Sequence, residues 1–302
     1  MNKTSILILI SILTSAIHTA SSASNDDPGQ NEIETLFQEI KNLPPRLRQE
    51  SLTQKYSTLY PGEISTANLN ILRERFETAI STAFYSGDKG VSEEALIIYN
   101  LLKILNVDNN EDYNSLLSIL IKSRSFSLAS EIIQQKYGKE TKIEFSTLIN
   151  ASEDGPAYIK VNKNDLSIEP LPAHILNSGI VIISNPLCGF SVSASNAISN
   201  DETLSSALRG ALWLVPPEGN LHLDEIRQWN DNNPSQQMVL TYNWTEWNLI
   251  SDWDTPNFYF FENNRVVAKL TGWPPDGSKK SELLDLVNLW HARRDSVLSL
   301  DP

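Results

Sequence analysis

The chain has 302 residues and a formal net charge of −13, from 24 basic and 37 acidic side chains. That length allows two modest domains with a sizeable core. An acidic surface repels phosphate backbones and argues against nucleic-acid binding, and a single cysteine, Cys188, excludes a disulfide-stapled fold.

The first residues, MNKTSILILISILTSAIHTASSASNDD, place Lys3 before an apolar run from Ile6 to Leu13, with Ser21 and Ala23 following. This is the pattern of a secretory signal peptide over residues 1–23, cut after Ala23. Ser11, Thr14 and Ser15 break the run, which is short against a hydrocarbon core of about 30 Å, so cleavage is expected rather than anchoring. No cysteine stands near that point for lipid attachment, and no later run is long enough to span a membrane. A periplasmic or secreted location is the expectation. Residues 24–31, SNDDPGQN, read as a flexible start.

Residues 32–150 read as a helical domain. IETLFQEIKNL, ANLNILRERFETAISTAFYSG, SEEALIIYNLLKILN, EDYNSLLSILIKS and FSLASEIIQQKYG carry apolar residues at three- and four-residue spacing. Ser92-Glu93-Glu94 reads as a helix start, and Gly87, Gly90 and Gly138 as breaks. Helical hairpins follow. They resemble a loose tetratricopeptide-like solenoid but lack a clean repeat of about 34 residues, so a small bundle stays equally open.

From residue 151 the periodicity changes. AYIKV and LSIEP alternate as strands do, and IVII (Ile180 to Ile183) is a continuous apolar run suited to a strand covered on both faces. Cys188 to Ile198 suits a helix, ALWLV a strand, LHLDEIRQWND a helix and MVLTY a strand. NFYFFENNRVVAKLTG is a hairpin turning at Asn263-Asn264, and SKKSELLDLVNLWHARRD an amphipathic helix. The order predicts a mixed sheet with helices on both faces.

These residues resemble the thioredoxin-fold superfamily over about residues 157–295. Cys188 ends a buried strand and begins a helix, where that superfamily has its C-x-x-C. Asp254-Thr255-Pro256 precedes NFYFF as a cis Thr-Pro does there, 68 residues after Cys188. FFENNRVVAKLTGW then follows the strand–turn–strand pattern. The implied fold is a thioredoxin-like mixed sheet flanked by helices over 151–302, preceded by the all-α hairpin domain. The motif departs from the family: C-x-x-C has become Cys188-Gly189-Phe190-Ser191, and Leu187 replaces the usual Trp. CGFS is also similar to monothiol glutaredoxins, which assemble iron–sulfur clusters with glutathione. Their Gly-Gly motif and acidic pair have no equivalent in ENNRVVAKLTGW, so the spelling reads as convergent. No cofactor is expected, and glutathione-dependent cluster binding stands as a minor alternative.

A free cysteine of pKa ~8.5 is mostly protonated at neutral pH, and only the thiolate attacks. A helix N-terminus offers unpaired N–H groups and partial positive charge to such a sulfur. Cys188 is therefore the candidate nucleophile, with the Ser191 hydroxyl three residues on to face it. Serine cannot resolve a mixed disulfide, which points to exchange or isomerisation with an outside thiol for release. The resemblance implies that Thr255 and Pro256, with Leu187, Gly189 and Phe190, line the substrate. Trp244, Trp247 and Trp253 read equally as a recognition surface or as packing of an enlarged loop. The expected partners are protein thiols or disulfides, or a protein complex held by the helical domain. Two rivals remain open: a non-catalytic adaptor that binds partners, and a cysteine left inert in the core. The histidines, His18, His174, His222 and His291, lack metal spacing.

Overall fold

Six helices fill the N-terminal half: α1 (Pro28–Ile40), α2 (Pro45–Leu59), α3 (Leu69–Ser86), α4 (Lys89–Ile104), α5 (Asn110–Lys122) and α6 (Phe126–Tyr137). The structure, a computed structural model, describes residues 28–64, 68–148 and 155–298; the expected signal peptide lies outside the described residues. The helices stack in chain order as hairpins. α3 sits in the middle, packed on α1, α2, α4 and α5. Leu72, Phe76, Ala79 and Ala83 are its buried apolar residues, and they share one core with Ile98, Leu102, Leu116 and Leu120. No helix of the described residues is long and apolar enough to cross a membrane.

Two helix starts differ from expectation. α1 begins at Pro28, so the last part of the stretch expected to be flexible is helical. Proline's fixed φ suits the first helical position, and buried Gly29 and Ile33 hold the first turns to the core. α4 begins at Lys89, because the Asp88 side chain accepts from Val91 N at 2.9 Å and caps it. Gly90 therefore lies inside the helix, and Ser92 is a buried residue whose hydroxyl donates to the Asp88 carbonyl. Asp88 was the better cap: as a carboxylate it also complements the helix dipole. Gly87 does mark a break, at φ 64.

The second half is an α/β unit built on one mixed sheet flanked by helices. Its strands are β1 (Ala157–Val161), β2 (Leu166–Pro170), β3 (Ile180–Ile183), β4 (Leu212–Val215), β5 (Met238–Thr241), β6 (Asn257–Glu262) and β7 (Arg265–Thr271). They form one sheet in the order β2-β1-β5-β4-β3-β6-β7. β3, β4 and β5 run parallel; β6 pairs antiparallel with β3, and β1 antiparallel with β5. The hairpin turn falls at Asn263 and Asn264, φ 48 and 59, the left-handed pair a tight turn of this hand needs.

Helices lie on both faces of the sheet as expected, but unequally. The connections are α8 (Gly189–Ser199) with α9 (Glu202–Ala207), then α10 (Leu223–Asn232). β3, β4 and β5 are laid down in one direction. Right-handed crossovers between them must therefore share a face. α11 (Lys280–Leu298) joins them there, and Ala194, Ile198, Ile226, Leu283 and Val287 pack with Ile180, Ile182, Trp213 and Phe258. The opposite face, with Val181, Ile183, Leu214, Tyr259 and Phe261, is closed only by the short α7 (Ala173–Ser178) and by Trp247, Ile250 and Trp253.

The helical half and the sheet share one core. A single cluster of touching buried side chains runs from Ile33 through Phe126 and Phe145 to Trp213 and Trp290. Polar locks fix the join. The Arg124 guanidinium, buried in the α5–α6 turn, donates Nε and Nη2 to the Thr241 carbonyl at 3.0 and 2.7 Å. That carbonyl lies at the end of β5 on the Arg124 side. Two glycines permit close approach: a Cβ on Gly87 would stand 2.1 Å from Trp244 Nε1, and one on Gly219 1.9 Å from Ser118 Oγ of α5.

Candidate functional site

The site is built at the end of β3. Four fully buried residues carry the strand to Ser184, and the chain then turns through Asn185-Pro186-Leu187. Asn185 organises this turn. Its Oδ1 accepts from Leu187 N at 2.8 Å, and its carbonyl accepts from Cys188 N at 3.0 Å. Cys188 is thereby set as the N-cap of α8, in extended backbone conformation at φ −84 and ψ 115. The apolar strand, the Asn-Pro turn and the small residues that open the helix are why the chain puts its one sulfur there.

The sulfur is partly exposed, and the thiol donates to the Thr255 carbonyl at 3.5 Å. Partial burial pushes its pKa up. Hydrogen bonds from the Thr255 side chain, the Ser191 N–H and hydroxyl, and the Phe190 N–H outweigh that, so the thiol lies below its ordinary value. Ser191 is fully buried; its oxygen accepts from Asn185 N at 3.3 Å, which leaves its proton to face the sulfur.

The Thr255–Pro256 peptide bond is cis. Pro256 is buried, and its loop is held by a small polar frame. Tyr259 OH donates to the Asp252 carbonyl at 2.8 Å and accepts from Asp252 N at 3.1 Å. Lys269 Nζ donates to Asp252 Oδ2 at 2.7 Å, and Asn257 Nδ2 to the Asp254 carbonyl at 2.8 Å. Burial pushes the Asp252 carboxyl up, but Lys269 and the Asp254 N–H hold it below the usual range. Thr255 is thus fixed opposite the thiol from below.

Around the sulfur the surface is apolar and open. Leu187 is 53% exposed and Phe190 50%. Gly189 is exposed, and a Cβ there would meet nothing within 4 Å, so neighbours do not demand glycine at this position. Two grooves of about 350 and 560 Å³ lie elsewhere, lined by residues such as Tyr99 and Tyr113 or Lys160 and Arg227, and Cys188 lines neither.

The sequence-predicted residues divide into two groups. Cys188, Ser191, Thr255 and Pro256 come together, with Leu187, Gly189 and Phe190 on the same loop and first turn. The tryptophans do not join them as a recognition surface. Trp244 and Trp247 are 6% and 2% exposed, and Trp253 packs edge-on to Trp244 with centroids 6.5 Å apart. Trp244 lies against Gly87 and under the Arg48 guanidinium, 5.3 Å from its ring centroid. Trp247 Nε1 donates to the Ala157 carbonyl at 3.2 Å. Their indoles are packing for the thinly covered sheet face and for the join to α2. Among the described residues no three His, Cys, Asp or Glu side chains cluster to hold a metal ion.

Two residues of the site were not foreseen, Asn185 and Glu218. Asn185 Nδ2 donates to Glu218 Oε1 at 2.6 Å, across the gap between the β3 and β4 ends. The cue was Pro216-Pro217-Glu218-Gly219 after a strand, a rigid turn that commits a carboxylate inward.

No protein-family model matches the chain. No curated protein matches it. Among solved structures the chain is similar to a thioredoxin-like protein from Bacteroides caccae, at 14% identity and a TM-score of 0.31, over 82% of this chain and 94% of that one.

Proposed function

We propose that the protein is an exported, thioredoxin-like thiol–disulfide exchange protein that works through Cys188 alone. The observation that carries this reading is the partly exposed sulfur at the N-cap of α8, 3.5 Å from the Thr255 carbonyl that precedes the cis Pro256. The Cys188 thiolate attacks one sulfur of a substrate disulfide in line with the S–S bond. A Cys188–substrate disulfide forms as the old bond breaks, and the second substrate sulfur leaves as thiolate. An outside thiolate, small molecule or substrate cysteine, then attacks the mixed disulfide and returns Cys188 to thiolate. Over the cycle Cys188 is neither oxidised nor reduced, which suits isomerisation and the removal of small-thiol adducts. Leu187 and Phe190 give an apolar footing for the substrate chain, and the Thr255 backbone offers strand-like pairing to it.

The test is alkylation of Cys188 by iodoacetamide across pH, with trapping of mixed disulfides from the exported compartment. A labelling midpoint clearly below that of a free thiol, with substrates captured through Cys188, is the expected result. An ordinary midpoint or an unreactive sulfur would sink this reading in favour of a non-catalytic adaptor, as would full function in Cys188→Ser.

A further inference from the structure

We infer that Glu218 is a positioning residue for the Cys188 thiolate, acting through Asn185 and Ser191, and that it ties the thiol loop to the helical half of the molecule. The inference rests on the exchange reading above and deepens it.

A continuous set of bonds leads from the sulfur outward. Ser191 lies in the first turn of α8, which Cys188 caps, and its oxygen accepts from Asn185 N at 3.3 Å; hydrogen bonding to Ser191 helps hold the thiol below its ordinary value. Asn185 is fixed in turn by its own side chain, with one end on Leu187 N at 2.8 Å and the other on Glu218 Oε1 at 2.6 Å. Without the carboxylate, the Asn185 amide loses its anchor at the end of β4. The hydroxyl that donates to the sulfur then loses its orientation.

Glu218 is itself held by the helical half. Gly219, the next residue, lies directly on Ser118 of α5. His222 Nε2 approaches the Glu218 Oε2 at 3.8 Å, and Lys122 and Arg124, at the end of α5 and in the turn after it, act on the carboxylate by their charge. Burial pushes the Glu218 carboxyl up, and His222, Asn185, Lys122 and Arg124 oppose that. Arg124 also holds the end of β5, so one turn of the helical half reaches both the sheet and the thiol loop.

The experiment is the pH profile of Cys188 alkylation in the full chain, for wild type, Glu218→Ala, Glu218→Gln, Ser191→Ala and Glu218→Ala with Ser191→Ala. Glu218→Ala should raise the midpoint by about half a pH unit, a fraction of a charge-assisted hydrogen bond. Glu218→Gln keeps an oxygen for Asn185 Nδ2 and should stay at or below the wild-type midpoint. Because Glu218 works through Ser191, the double variant should shift no further than Ser191→Ala alone. If Glu218→Ala does not fold, Asn185→Ala removes the same bond from the other side and takes its place. A Glu218→Ala profile that overlays wild type, a fall shared equally by Ala and Gln, or full additivity with Ser191→Ala overturns the inference. An ordinary midpoint in wild type overturns the exchange reading instead, so the two failures are distinguishable.

Discussion

The cysteine loop and the tryptophan loop meet where the Cys188 thiol reaches the Thr255 carbonyl, yet they treat apolar side chains in opposite ways. The tryptophan loop buries its large rings to 6% exposure or less at Trp244 and Trp247, while the cysteine loop leaves Leu187 and Phe190 about half exposed. Both loops are rich in apolar residues, so composition does not separate them. What separates them is whether another element reaches over. α2 and Gly87 close on Trp244; α8 begins at Gly189 and cannot fold back over its own first turn. Leu187 and Phe190, left open beside the sulfur, are the surface proposed to meet the substrate chain.

The largest effect that would break this contrast is at Gly87. Gly87→Ala forces a Cβ into a left-handed position and into the Trp244 indole, and should cost about 3 kcal/mol or more in urea denaturation. An effect under 1 kcal/mol would mean the tryptophan loop is not clamped. Arg124→Met should cost about 2 kcal/mol, because the Thr241 carbonyl keeps its burial and loses both donors. Guanidinium chloride titration reads that loss directly.

At the cysteine loop, effects should appear in reactivity. Ser191→Ala should raise the alkylation midpoint by about one pH unit, the worth of one hydrogen bond to a charged group. The thiol pKa is lower folded than unfolded, so between the two values the unfolded chain binds more protons. Cys188 therefore adds stability that is fully present above the unfolded value and is lost as pH falls through the folded one. Cys188→Ser should abolish that increment, seen as a flatter dependence of Tm on pH in mildly alkaline buffer. The smallest stability effect belongs to Leu187→Gln and Phe190→Gln: within about 0.5 kcal/mol of wild type, while the rate of exchange with a peptide disulfide falls several-fold. A large stability loss with unchanged exchange would reverse the assignment.

Much of this was legible in the residues. IVII followed by a solitary cysteine placed Cys188 between a buried strand and a helix start, because strand burial acts over a few residues, and the resemblance placed the cis Thr255-Pro256 bond before NFYFF. Ser191 was found from its spacing alone. The tryptophans were ambiguous because a dense aromatic run looks the same buried or exposed; only the close approach at Gly87 decides it. Glu218 and Asn185 stand 33 residues apart and meet through parallel strand ends, a contact no local period reveals. That most helices share one face was not legible for a similar reason: which face a crossover takes depends on strand order, and β5 could not be placed beside β4 from its own residues.

The unbroken core from Ile33 to Trp290 also governs how the gene can be cut. A fragment starting at Ala157 would present the Trp244 ring, the naked β5 terminus and the Glu218 carboxylate to water at once. Such a product should precipitate on expression, and swapping in helices from an unrelated chain should fare no better, since inheritance of the reactive loop requires inheritance of the coils that brace it.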